Sequence, residues 1–161
     1  MGHVDPHTIK IIPAAAKRFM GAKRYAVVGR VLQDPAKFDN KLIKWYQERK
    51  MDVTPVRPAS DRFDNSKPVE GLKVVESPTA LPDLTNTSIS MIISPKLGYE
   101  YLQKLYADPA KKPHSIWFQP GAENDEIEAF IKKHNLSEEI VIGGPCVLVH
   151  GDEARQQAGK A

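Results

Sequence analysis

The sequence predicts a single α/β domain: a mainly parallel sheet of five to six strands with helices on both faces. Three observations predict it. Short apolar runs alternate along the chain with amphipathic stretches, as a parallel sheet with helical crossovers requires. No tight hairpin signal joins any pair of runs. At 161 residues and 41% hydrophobic, the chain can bury one full core, whereas two domains would be cramped.

Residues 1–7 are polar and are expected to be disordered or foreign to the fold, leaving a domain over 8–151 and a solvated tail over 152–161. Pro13 suits the first turn of a helix over Ala14 to Met20, because its missing N–H costs nothing there, and Gly21 can end it. Tyr25–Val28 is the first strand. Asp34 is a candidate N-cap for the next helix, with Pro35 at its first position. Phe38, Leu42, Trp45 and Tyr46 then recur at helical spacing. Met51–Val56 is the second strand, and 57–71, rich in Pro, Asp, Asn and Ser, reads as a loop. Leu72–Glu76 is a short third strand, Ser88–Ile93 the fourth, Tyr99–Tyr106 a helix and Ser115–Phe118 the fifth strand. Asn124 caps a helix carrying Ile127, Phe130 and Ile131 on one face. Ile140–Ile142 is the sixth strand, and Gly143-Gly144-Pro145 turns the chain into the apolar Cys146–Val149, read as a last strand. Right-handed crossovers order these as 3-2-1-4-5 with the sixth added, a Rossmann-like doubly wound sheet.

Such sheets bind ligands beyond the carboxyl ends of their strands, where the strand order reverses. That rule selects Gly29–Gln33, Arg57–Ala59, Ser94–Lys96 and Gln119–Gly121. Gly29 lets a ligand approach backbone N–H groups, and the following helix points its positive dipole end at an anion. Arg30 and Val31 complete that loop, while Lys37, Asn40 and Lys41 could add donors to a pyrophosphate. A dinucleotide fingerprint needs three glycines here and an acid ending the second strand. This chain has one glycine, and its second strand ends in Arg57-Pro58. A guanidinium suits a phosphorylated ribose, so the pattern points to a phosphorylated adenine nucleotide rather than NAD. Pro95 can stiffen the backbone against a flat ring, Ser94 and Lys96 flank it, and Gln119 can donate and accept at once. Asn124 and Glu126 are accounted for by helix capping alone.

The formal charge of +3 is mild and spread out, which asks for neither nucleic acid nor an anionic membrane. No apolar run has the length of a membrane span. Lys10, Lys17, Arg18, Lys23, Arg24 and Arg30 fall in a stretch without acids between Asp5 and Asp34. That is a transit-peptide composition, but it runs straight into the first strand with no spacer to cleave. Cytoplasm is the expected compartment, with the mitochondrion as the alternative. One cysteine, Cys146, excludes an internal disulfide and fits a reducing compartment. His114, His134 and His150 share no metal-ligand spacing, and neither a paired Cys-x-x-Cys nor a nucleophile elbow occurs. No metal and no catalytic residue is expected.

Four of these segments carry a resemblance. Ala26-Val27-Val28-Gly29, Thr54-Pro55-Val56-Arg57-Pro58, the run from Trp117 to Glu126 (WFQPGAENDE) and the late Cys146 resemble the small stand-alone CoA-binding proteins. Those are similar in turn to the N-terminal domain of the succinyl-CoA synthetase α subunit. The likeness covers about residues 12–150, and Gly143-Gly144-Pro145-Cys146 resembles the fungal variety. It implies non-covalent binding of CoA or an acyl-CoA by a module acting as carrier, sensor or regulator. Where the family has a small hydroxyl residue two places after the glycine, this chain has Val31; Arg30 replaces a small residue, and Val-Arg-Pro replaces Val-Asn-Pro. A different nucleotide or weaker CoA binding stays open on that account. Cys146 could form a mixed disulfide with the CoA thiol or could be a small buried residue. Arg57 would also suit the 2′-phosphate of NADP in a small reductase. The remaining alternative is an interaction domain that has lost its ligand, and a homodimer or an unknown protein partner is left open.

Overall fold

In the computed structural model, residues 11–159 are described. The expected disorder of residues 1–7 lies outside them. A five-stranded, all-parallel sheet runs in the order β2-β1-β3-β4-β5. Its strands are β1 (Arg24–Val28), β2 (Val53–Val56), β3 (Thr87–Met91), β4 (Ser115–Phe118) and β5 (Ile140–Val141). Helices α1 (Ala14–Phe19), α2 (Phe38–Glu48), α3 (Pro95–Leu105), α4 (Asp125–Lys133) and α5 (Val147–Gln157) cover both faces. The expected strand order holds, with one reduction. The run at Leu72–Glu76 contributes only a parallel bridge, Val56 to Val75. The cause lies in β2. Arg57 N–H donates to the Val75 carbonyl and Val75 N–H donates to the Pro55 carbonyl, so the outer edge of β2 is formed by Pro55 and Arg57. Pro55 has no N–H to extend that ladder toward Lys73.

Residues of one strand alternate between two cores, the pattern of a sheet buried on both faces. Tyr25, Val27 and Trp117 pack with Phe19, Leu42, Tyr46 and Val147 from α1, α2 and α5. Ala26, Val28, Ile116 and Phe118 pack with Leu102, Ile127 and Ile131 from α3 and α4. Trp117 is fully buried against the Phe19 ring, and its Nε1 donates to the Pro145 carbonyl at 2.9 Å. That bond ties the turn before α5 to the middle of the sheet.

Three boundaries differ from expectation. Asp34 and Pro35 do not open α2: Asp34 closes a separate turn, accepting from Ala36 N–H, and the helix begins at Phe38. Helix α3 starts four residues early, at Pro95 behind Ser94, so Pro95 and Lys96 belong to its first turn. The Cys146–Val149 run is not a strand. It opens α5, and residues 152–157 continue that helix instead of forming a solvated tail. Val147, Gly151 and Ala154 fall on the buried face at helical spacing. At Gly151 a Cβ would stand 2.5 Å from the Trp45 ring, so only glycine lets the helix lie this close. Arg49 clamps the outer side, reaching both oxygens of Asp152 at 2.6 and 2.9 Å while lying over the Trp45 ring.

Candidate functional site

The paired registers Val28–Val56, Val28–Met91 and Met91–Phe118 align the carboxyl ends of four strands. The selected segments Gly29–Gln33, Arg57–Ala59, Ser94–Lys96 and Gln119–Gly121 therefore leave the same edge of the sheet. What they do there differs from segment to segment.

Gly29 ends β1 by donating to the Val56 carbonyl at 3.0 Å. The two amides that follow, which would cradle a phosphate, are already bonded. Asp39 Oδ2 accepts from Arg30 N–H at 3.0 Å and from Val31 N–H at 3.2 Å. Asp39 lies in the first turn of α2 and is buried, 6% exposed. A Cβ on Gly29 would collide with this carboxylate. The glycine thus makes room for an internal anion. Burial pushes the Asp39 carboxyl above its usual value, opposed but not cancelled by the amides of Val31 and Arg30. Asp39 was not among the sequence-predicted residues. Its role rests on the two amides it meets in space, which no local pattern shows.

The neighbouring side chains divide. Arg30, Lys37 and Lys41 are exposed at the surface, and Val31 is half-buried. Asn40 faces inward instead, fully buried, with Nδ2 donating to the Leu32 carbonyl at 2.7 Å and to Glu70 at 3.1 Å. It braces the loop from below and has no donor left for a phosphate. Arg57 is 3% exposed. Its Nε donates to Asn65 and its Nη1 to Gln33, both at 2.6 Å, and the guanidinium lies over the Phe63 ring. Burial draws its pKa down, with nearby Asp64 pulling the other way. Pro58 is half-buried beside it, while Ser94 and Lys96 flank the half-buried Pro95.

Gln119 stands apart. It lines a crevice of about 460 Å³ whose walls are Phe38 from α2, Ile92 and Ile93 after β3, the Pro120-Gly121-Ala122 turn after β4, and Cys146 before α5. Among the described residues, none that lines it is charged. Of the sequence-predicted ligand residues, Gln119 alone lines it; Phe38, Ile92 and Ile93 were missed because each reads as ordinary core, and Cys146, singled out as a possible partner of the ligand thiol, is one of its walls. Cys146 is buried, and burial raises its thiol pKa, so the sulfur is a neutral wall rather than a nucleophile. Its mixed-disulfide reading gains only proximity. Among the described residues no group of His, Cys, Asp and Glu could hold a metal ion, and no helix is long and apolar enough to cross a membrane.

The crevice opens at the carboxyl edge of β3 and β4, where parallel α/β sheets bind their ligands. The model of the CoA binding domain matches residues 23–152. The chain belongs to that family. The match begins just before β1 and ends inside α5, so α1 precedes it. A conserved hypothetical protein from Pyrococcus furiosus is 31% identical over 80% of this chain and 98% of its own, with a TM-score of 0.62. A hypothetical protein from Pyrococcus horikoshii is 24% identical over 98% of this chain and 99% of its own, with a TM-score of 0.65, a likeness of fold. No curated protein matches the chain.

Proposed function

We propose that the protein binds CoA or an acyl-CoA non-covalently and acts as a carrier, sensor or regulator without a catalytic step of its own. The observation that carries this reading is the membership of residues 23–152 in the CoA-binding family, on a sheet whose carboxyl edge holds an uncharged crevice. Ligand pockets of a few hundred Å³ with apolar walls and few polar groups are the usual form of small-molecule sites. Lys37, Lys41 and Lys96 surround that edge with surface cations suited to a nucleotide diphosphate. In this reading Arg57 meets a 3′-phosphate by exchanging its bond to Gln33, an exposed side chain free to swing away, for a phosphate oxygen.

Thermal shift with CoA, acetyl-CoA, 3′-dephospho-CoA, NADP⁺ and NAD⁺ tests it, because a ligand raises stability according to its concentration over its affinity. CoA and acetyl-CoA are expected to raise the melting temperature most, 3′-dephospho-CoA less, and NAD⁺ not at all. Equal shifts for CoA and 3′-dephospho-CoA would remove Arg57 from the site. A shift with NADP⁺ alone would overturn the CoA reading in favour of a reductase.

A further inference from the structure

Gln119 carries hydrogen-bonding capacity that the fold leaves unused. The residue is 1% exposed, and its backbone is pinned on both sides: its N–H donates to the Met91 carbonyl and its own carbonyl accepts from Ala122, at 3.1 and 2.9 Å. The side-chain amide is oriented by Val147, whose N–H donates to Oε1 at 3.0 Å. An N–H can only be answered by the amide oxygen, so this bond fixes which end is which. Nε2 is left buried with no partner. An unmade bond of this kind destabilises the fold, and buried donors in native proteins are mostly answered.

The surroundings say what would satisfy it. The partner must accept from an N–H, and it must be neutral, since among the described residues none around Gln119 in the crevice is charged and an anion would be desolvated there uncompensated. Beside Gln119 the chain opens at Gly121, whose φ of 91° folds the turn away and whose Cβ position faces open space. The remaining wall is Phe38, Ile93, Ala122 and the neutral thiol of Cys146. We infer that Gln119 is a ligand-binding residue that donates Nε2–H to the carbonyl of an uncharged amide or thioester chain held in this crevice. This deepens the CoA reading and rests on it: the crevice takes the pantetheine or acyl arm, and the nucleotide lies outside it. The part of the site built in advance is the neutral part.

Calorimetry on the full chain tests this with four probes: CoA, pantetheine, N-acetylcysteamine and adenosine 3′,5′-bisphosphate. Pantetheine is expected to bind and to compete with CoA. Gln119→Met is expected to weaken CoA and pantetheine about tenfold, the loss of one such bond, and to leave adenosine 3′,5′-bisphosphate unchanged. In the wild-type protein, the Gln119 side-chain amide resonances should move on adding pantetheine, a readout that does not depend on the variant folding. If CoA binds but Gln119→Met binds it equally well and those resonances stay still, the inference falls and the CoA reading stands. Binding of pantetheine and N-acetylcysteamine without CoA has the opposite meaning, keeping the carbonyl site and removing CoA. No binding by any probe overturns both.

Discussion

The loop after β1 and the crevice after β4 lie on one edge of one sheet, yet their buried donors are in opposite states. In the loop the buried donors that a phosphate would use are engaged: Arg30 and Val31 amides by Asp39, Asn40 by Leu32 and Glu70, Arg57 by Gln33 and Asn65. In the crevice a donor is oriented, buried and unanswered. A family pattern in the sequence therefore does not say where a ligand gains most. Binding at the loop replaces bonds already made, and binding at Gln119 makes one that is missing.

The largest expected effect lies in the loop. Gly29→Ala forces the Asp39 carboxylate off its two amides and should cost about 3–6 kcal/mol in urea unfolding, the worth of two hydrogen bonds to a charged group. Combining it with Asp39→Ala should cost clearly less than the sum of the two single changes. Additive costs would show that the carboxylate is not what the glycine accommodates. Next, Asp39→Asn removes the internal negative charge while keeping an acceptor. Adenosine 3′,5′-bisphosphate should then bind about fivefold tighter, close to 1 kcal/mol. No gain in calorimetry would mean the loop plays no part in anion binding even when unlocked.

In the crevice, Gln119→Met should change stability by less than about 1 kcal/mol, since losing the Val147 bond is offset by removing the orphaned Nε2. A loss well above that would mark Gln119 as mainly a structural brace. The smallest effect is in pH. Because the folded-state pKa of Asp39 is raised, the native chain takes up that proton before the unfolded chain does. Its contribution to stability therefore grows as pH falls from the raised value to the ordinary carboxylate value, and is lost as pH rises back through that window. Asp152, held low chiefly by its bond to Arg49, acts in the opposite sense. The difference between wild type and Asp39→Asn in urea midpoints isolates the Asp39 share, expected to favour the wild type more as pH falls through that window.

Sheet order and the positions of the five strands were legible because both faces of this sheet are buried, so strands such as Tyr25–Val28 and Ser115–Phe118 are short, largely apolar runs. Helix starts were less so. Phe38 opens α2 without a side-chain cap bond from Lys37, while Asp34, the better cap by type, uses its carboxylate in a local turn. Four apolar residues in a row at Cys146–Val149 suit a strand as well as a helix; what makes them helical is the packing of Gly151 on Trp45, a contact 106 positions apart in sequence that no local pattern shows. The place of Gln119 in the crevice was legible from its position at a strand end. Asp39 and the wall position of Cys146 were not, because they depend on which groups these residues meet in space.

The Asp39 carboxylate also bears on how the chain reaches its fold. Its bonds to Arg30 and Val31 span nine and eight residues, so the first strand, its loop and the start of α2 close on themselves within one short segment. Contacts this local form early and fast. By supplying the anion from its own sequence, the chain can close this strand, loop and helix start before any ligand has been met.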